Sequence, residues 1–480
     1  MKSLFKNSIY NVIYRLVSLL FPLVSSAYVS RILLADGVGK VSLAQNFVSY
    51  FIVIAGLGLA NYGVREIGIS QKKKLKYSKI FIELIIISFI STLICSLIYY
   101  YIVFSNEIFY ENRVLYFAVG VQLILNSINI DWFFQGMEEY GYITARSLIV
   151  KVVVMISMFF LVRSREDVVS YALLTSLAIA GNNIFNIIHV RKYIVINRSI
   201  IKKLNIVRHI KPLIILLSTS ITVELYTKLD ITMLGIMSSE ENVGYYAYAV
   251  KIISIVVNIA ATASVILLPR LSYYYKNNNI IQFNKTVNNA YRILFVLTLP
   301  MTIGLILVSS PVVNILFGES FYPASITVKI LSILVFIKAI GNLFGTQVLL
   351  TVGQEKKLFI TTLIGAITNI IFNLSMIPIW GENGAALASV ISEFLVLLVQ
   401  VYYAKRYVSF KIDKRICIST IISTIFMIII VISSKKIINN ELIGFLTSII
   451  LGGITYVISN ILLKNKVVID ILLNIKKIRR

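Results

Sequence analysis

Few residues in this chain are suited to covalent or metal chemistry. Two cysteines and two histidines occur in 480 residues. Cys95 and Cys417 lie far apart, each in an apolar run, so a disulfide framework is excluded and both read as core filler. His189 and His209 fall in basic sequence without metal-ligand spacing, and neither is assigned chemistry. Charged residues are 14% of the chain and hydrophobic ones 58%. A soluble protein of this length needs more polar surface. No G-x-x-x-x-G-K-[ST] sequence occurs, which argues against ATP hydrolysis on this chain. The stretch GLGLANYG (56–63) resembles a phosphate loop only superficially, because it sits in an apolar run where small residues permit close helix packing. No cofactor is expected.

What is abundant is apolar sequence in runs of about 20 residues, the length that spans a bilayer as a helix. The pattern predicts an all-α polytopic membrane protein with about fourteen transmembrane helices. The expected spans are 9–33, 41–65, 80–104, 114–136, 147–163, 168–190, 212–236, 243–268, 287–310, 324–352, 358–379, 384–404, 416–434 and 442–463. Lys2, Lys6 and Arg15 ahead of LVSLLFPLVSSA could pass for a signal peptide. The apolar run continues to Leu34, however, and the charge alternation uses it as a retained helix. The net charge of +25 is not the footprint of nucleic-acid binding, because the bases cluster between apolar runs. They concentrate in alternate connections, such as 72–79, 191–211, 405–415 and 464–480, which predicts an even span number with both termini cytoplasmic. In 198–211 apolar Ile200, Ile201, Leu204, Val207 and Ile210 alternate with bases, predicting an amphipathic helix on anionic lipid.

An internal repeat organises the spans. At a constant offset ADGVGKVSLAQNF (35–47) aligns with EENVGYYAYAVKI (240–252), and Arg65 with Arg270. The offset covers six spans, so the two halves are parallel. The expected organisation is an N-lobe over 1–197, a linker over 198–211, a C-lobe over 212–406, and two extra spans with a basic tail over 407–480. Two parallel six-helix lobes around a central cavity form a transporter plan.

Ionisable residues inside spans are costly and mark cavities or partners. Arg15, Lys151, Lys228, Lys251 and Lys338 are the candidate cations of an anion-binding cavity, suited to phosphate or pyrophosphate. Asp131, Glu224, Asp230 and Glu393 are candidates for ion coupling or charge pairing. Glu224 and Lys228 have the favourable i,i+4 order for a helical pair, while Asp230 faces elsewhere and has Lys251 as its expected partner by depth. Glu83 lies nearer a helix end and reads as interfacial. The bland alternative is that these charges are interhelical pairs that only fix packing.

The stretch LYTKLDITMLGIMSSEENVGYYAYAVKIISIVVNIAATASVILLPRLS (225–271 and its next residue), together with YVSRILLADGVGKVSLAQNF, GNLFGTQVLLTVGQEKK and GAITNIIFNLSMIPIWGENGAALASVISE, resembles polysaccharide exporters of the MATE-like MOP superfamily. These are Wzx-type O-antigen or capsule repeat-unit flippases, and the resemblance runs in order through nearly all of residues 1–406. It implies that the substrate is an undecaprenyl-pyrophosphate-linked glycan, moved from the cytoplasmic to the outer leaflet of the bacterial cell membrane by alternating access. The implied partners are that glycan, membrane lipids and a polysaccharide polymerase, with no nucleic acid and no enzymatic activity. Asn126, Asn129, Trp132, Gln135, Tyr226, Tyr245, Tyr246, Tyr248 and Asn369 are then candidate sugar contacts. A drug/cation antiporter of the same fold, a lipid II flippase of the same superfamily, and a membrane glycosyltransferase or polymerase are the rival readings. The first needs a carboxylate-dominated site, and the last needs acidic outer loops.

Overall fold

A chain with this much apolar sequence has one way to satisfy its backbone in lipid without closing a barrel, which is to be helical throughout. The computed structural model follows that rule. It describes the backbone of residues 4–265 and 267–478, and the side chains of residues 18, 21–261 and 267–473. Among the described residues there is no strand. Twelve helical segments among the described residues are long and apolar enough to cross a membrane. The chain is therefore an all-α, multi-pass membrane protein, as its composition predicts.

Contacts divide the chain into two compact units, Met1–Gly235 and Ile236–Arg480. The first contains α1 (Leu4–Gly56), α2 (Leu59–Ser70), α3 (Lys74–Ser105), α4 (Arg113–Asn126), α5 (Asp131–Gly136), α6 (Tyr140–Leu161), α7 (Val168–Ala180), α8 (Asn182–Val190), the single turn α9 (Arg198–Ile201) and most of α10 (Val207–Met237). Its core is aromatic: Tyr62, Tyr77, Phe81, Trp132 and Phe133 pack with Leu59, Ile67 and Leu84. The second contains α11 (Glu240–Val265), α12 (Leu267–Lys276), α13 (Ile280–Phe317), α14 (Ala324–Asn342) continued by a π-helical stretch (Leu343–Leu349), α15 (Glu355–Ala404), α16 (Lys414–Ile437), α17 (Glu441–Leu462) and α18 (Lys466–Ile478). Its core joins Leu271, Phe283, Val287, Leu343 and Phe344. The repeat predicts that α10 opens the second lobe; by contacts it groups with the first unit.

Element order recurs between the units. A positive-φ residue or turn falls at Leu34 and at 238–239, and a short helix, α2 or α12, precedes a long one, α3 or α13. Each long helix ends in a 3₁₀ turn of matching sequence, Glu107–Phe109 before Tyr110 and Glu319–Phe321 before Tyr322.

Two of the crossing segments, Phe21–Ser70 and Glu355–Ala404, are 50 residues long. As straight helices they would run about 75 Å, more than twice the ~30 Å hydrocarbon core. Neither is straight. In α15, Gly381 has φ 53° and ψ −128°. A Cβ on Gly384 would fall 2.2 Å from the Met376 carbonyl oxygen, whereas a continuous helix keeps these residues about 12 Å apart. In α1, the chain breaks at Leu34, with φ 56° and ψ −171°. Before the break, Ser18 and Tyr28 meet Lys151 and Val162, climbing α6; after it, Gly37 and Gln45 meet Val168 and Thr175, along α7. α1 turns over where α6 turns into α7.

Other expected spans are interrupted. The 114–136 span breaks at Ser127–Ile130, and the 168–190 span at Gly181. The expected helix over 198–211 does not form as one element: Arg198–Ile201 is a single turn, and helix resumes only at Val207, the start of α10. Asn197 caps only the turn α9, through its side-chain oxygen on the Ile200 N–H. The Asn205 N–H then leaves the helical ladder to donate to Glu83, 2.6 Å away. A buried carboxylate has overridden an amphipathic pattern.

Candidate functional site

The stretch VELYTKLDITMLG (223–235) lies on α10, the least buried of the crossing helices, with 6% of its most apolar window enclosed. It touches the second half of α1 along a polar seam. The Asn46 amide donates to Thr232 Oγ1 at 2.6 Å and to the Lys228 carbonyl at 3.3 Å, and the Tyr50 hydroxyl meets Thr232 at 2.7 Å. The Gln45 amide extends the seam to Thr175 on α7, 2.7 Å away. Gly235 lets the helices close up, since a Cβ there would sit 2.3 Å from Leu43. Asn46 is 2% exposed, and its Oδ1 has no protein partner.

Glu224, Lys228 and Asp230 sit half-buried along this helix. The expected Glu224–Lys228 pair does not form: among the described residues no ion pair joins them. Half-exposed i,i+4 charges gain little by pairing. Asp230 is engaged in interactions within the fold.

Asp131 and Arg146 form a second group. A Arg146 nitrogen lies 3.0 Å from the Asp131 carboxylate. Asn186 donates to the same carboxylate at 2.6 Å and accepts from the Arg146 guanidinium. Arg146 is 5% exposed. The sequence places it in a connection, because the apolar run starts only at residue 147; the helix begins about two turns earlier, at Tyr140. Asp131 is thus committed to a structural pair. Lys151, five residues further along α6, donates to Ser18 at 2.8 Å and lies 6.0 Å from the Phe21 ring centroid. Arg15, a turn before Ser18, has a side chain outside the described residues.

In the second unit, Lys338 on α14 and Glu393 on α15 form an ion pair of 2.9 Å. Both halves were expected to be deep in their spans. Lys338 retains 39% side-chain exposure and Glu393 15%, so the pair faces an accessible space and not the core. Lys251 lies over the Tyr248 ring at 4.1 Å, a cation–π contact. Tyr248 is fully buried and stacks on Phe321 at 4.9 Å. Several candidate sugar contacts are packing residues. Trp132 and Tyr246 are also buried, and Trp132 fills the space left by Gly63, where a Cβ would lie 2.4 Å from its ring.

Sequence reasoning missed the most elaborate charge network. Glu83 is fully buried in α3. Its carboxylate accepts from the Asn205 N–H, pairs with the Arg208 guanidinium, and meets His209 Nε2 at 3.0 Å. Lys79 stands 3.7 Å away, and His209 Nδ1 meets the Tyr62 hydroxyl at 2.7 Å. His209, set aside in the sequence, is 1% exposed. The available signal was an acid in an apolar run beside a basic connection with no other acid to balance it. The neighbouring connection is tied in as well. The Tyr193 hydroxyl donates to Glu139 at 2.9 Å, and burial followed by this bond pushes its pKa up to about 12.

The profile of the family described as "Polysaccharide biosynthesis protein" matches residues 4–275. A putative O-antigen transporter of Escherichia coli (strain K12) is 23% identical over 412 residues, 84% of this chain and 97% of that protein. The probable low-salt glycan biosynthesis flippase Agl15 of Haloferax volcanii is 23% identical over 232 residues, so this chain spans about half, 49%, of that relative's length and aligns through 48% of its own. Among solved structures, a lipid II flippase MurJ in an inward closed conformation superposes with a TM-score of 0.75 at 17% identity, covering 96% of this chain and all of that one. An inward-facing multidrug resistance MATE family transporter of the MOP superfamily gives 0.58 at 15% identity, covering 81% and 93%. At these identities the two structures speak to the fold.

Proposed function

Because the chain belongs to the polysaccharide biosynthesis protein family, we propose that it is a flippase that carries lipid-linked oligosaccharide repeat units across the membrane by alternating access. One observation carries this reading: similarity to an O-antigen transporter along 97% of that protein's length. Its relatives are transporters and flippases. The turns at Leu34 and Gly381 favour fourteen crossings, twelve in two parallel lobes and two appended. The clustered bases favour both termini in the cytoplasm.

The chemistry suits a cargo with a polyprenyl tail that stays in lipid while pyrophosphate and sugar cross a polar path. Arg15, Lys151, Lys228, Lys251 and Lys338 are the proposed cations along it. Lys338 is tethered to Glu393 yet accessible, so it can exchange a carboxylate for a phosphate oxygen. A dianion leaving the cell is also favoured by an inside-negative potential, by roughly 2.3 kcal/mol per charge per 100 mV.

The test is transport of a purified lipid-linked oligosaccharide in proteoliposomes, read by lectin access to sugar on the far leaflet. The wild type is expected to move this cargo, but neither a drug cation nor free oligosaccharide. Failure to move it, with drug efflux instead, overturns the function. Single R15Q, K228Q and K251Q variants are each expected to lose at least tenfold in rate while inserting normally. If all three transport at the wild-type rate, the cationic path is wrong and the flippase reading stands without it.

A further inference from the structure

A cavity of about 320 Å³ lies against α6 and α8 in the first unit, outside the polar seam and the proposed cationic path. Tyr142, Arg146, His189 and Lys192 line its polar end. Ile149, Phe185 and Ile188 line the rest, and these three are largely exposed on the protein surface. Position along the helices sorts the two ends by depth. Lys192 lies just past the end of α8, whereas Phe185 sits about 10 Å further along it. Polar groups at the helix ends with exposed apolar groups beneath them match the headgroup and hydrocarbon layers of a bilayer leaflet.

The polar end is built and incompletely satisfied. Arg146 is nearly inaccessible and fixed by Asp131 and Asn186, yet its Nε–H has no protein partner. The Tyr142 hydroxyl is likewise buried without a partner. The Tyr142 ring is held in place by stacking on His189, with centroids 3.9 Å apart and planes 11° apart. Buried donors without acceptors are uncommon and call for a ligand. The Arg146 Nε–H can only donate and the Tyr142 hydroxyl can donate, so an acceptor is the ligand that satisfies both. Charge narrows it further. Glu139, near His189, is outside the lining and accepts from the Tyr193 hydroxyl. Arg146 is balanced by Asp131, which leaves Lys192 as the remaining cation of the lining. That matches a phosphodiester, with one negative charge, better than a pyrophosphate. The cation, two fixed donors and an adjoining apolar strip together describe a lipid phosphate with its chain in place.

We propose that this cavity binds one anionic glycerophospholipid, its phosphodiester at Tyr142, Arg146 and Lys192 and an acyl chain along Ile149 and Phe185. With the termini cytoplasmic, the lipid comes from the inner leaflet; the leaflet rests on that orientation, the binding does not. The site is distinct from the cargo path and holds a resident lipid that braces α6 against α8.

The full-length protein, purified in detergent, is titrated with phosphatidylglycerol and with phosphatidylcholine and read by native mass spectrometry. Phosphatidylglycerol is expected to be retained at one copy, at least fivefold more tightly than phosphatidylcholine. Lys192→Gln removes the exposed cation and is expected to weaken retention about fivefold, the effect of one near-surface charge worth about 1 kcal/mol. Ala145→Phe, at an exposed position lining the cavity, fills it and is expected to abolish the one-copy species. Neither side chain supports the fold, so both variants report on binding. Equal retention of the two lipids, or wild-type retention in both variants, overturns the proposal. So does displacement by millimolar inorganic phosphate, which would mark a free-anion site. Preferential displacement by undecaprenyl pyrophosphate also overturns it, by assigning the cavity to the cargo.

Discussion

At the scale of single residues, the buried charges divide into those that finish a structure and those with charge to spare. Glu83 belongs to the first kind. It is fully buried among Arg208, His209, Lys79 and the Asn205 N–H, and it ties the connection after α9 and the head of α10 to α3. Removing one partner of a buried pair costs more than the pair contributes, because the other is left unsatisfied. Glu83→Gln is therefore expected to destabilise by about 2–4 kcal/mol; Arg208, 40% exposed, recovers hydration and keeps the loss moderate. The check is the thermal unfolding midpoint in detergent, with Arg208→Gln and the double variant completing a cycle. The double variant should lose less than the sum of the two singles, and additive losses would show that the pair is not coupled. Lys338 is of the second kind, since its tether to Glu393 leaves it partly exposed. These roles were only half legible in the sequence. A charge in an apolar run announces itself, and Lys338 and Glu393 were recognised that way. Its partner does not, when it lies on another element in sequence read as a connection, as Arg146 does for Asp131 and His209 for Glu83.

At the scale of elements, apolar run length carried most of the information, because a bilayer fixes how long a helix must be. Helix interruptions within a run were not legible. The break at Ser127–Ile130 is marked only by Asn126, Ser127 and Asn129 inside a longer apolar run, and the π-helical stretch at Leu343–Leu349 changes the hydrogen-bond pattern without ending its helix. The helix expected at 198–211 failed for the opposite reason: its local periodicity was right, but a distant carboxylate claimed one of its N–H groups. The two turns that split the 50-residue segments differ instructively. Both use a backbone region that an L side chain enters at a cost of about 1–3 kcal/mol. One is occupied by Gly381, the other by Leu34. Gly381→Ala is expected to destabilise by about that amount, with a further clash because the new Cβ falls 2.5 Å from Asn242 Nδ2. Leu34→Gly is expected to stabilise, less whatever its half-buried side chain contributes. Midpoints in the same unfolding assay test the pair, and equal shifts of the same sign would remove backbone strain as the cause.

At the scale of the whole molecule, the proposed function depends on how many times the chain crosses, because a transporter built from two parallel halves needs them in a defined orientation. Length and composition alone leave a choice. Each 50-residue segment could be counted as one crossing or two, and each choice inverts everything downstream. The turns at Leu34 and Gly381 argue for two crossings each, and the proposed topology then has fourteen, with both termini on one side. Single cysteines in a Cys95→Ser, Cys417→Ser background can decide it in intact cells with a membrane-impermeant thiol reagent. Cysteines at Asp36, Glu166, Asn383 and Asn440 are expected to label from outside. Those at Lys73, Lys203, Lys356 and Lys464 are expected to label only after the membrane is opened. The informative sites are those beyond each 50-residue segment. Were residues 21–70 a single crossing, Lys73 would label from outside and the sites after it would exchange sides. Were residues 355–404 a single crossing, Lys356 would keep its side while Asn440 and Lys464 exchanged theirs. A protein with the second inversion would place its last two helices upside down relative to the rest. The basic residues 464–480 would then face outward, against the charge bias that orients membrane helices. Fourteen crossings is the arrangement in which the two turns and the charge bias agree.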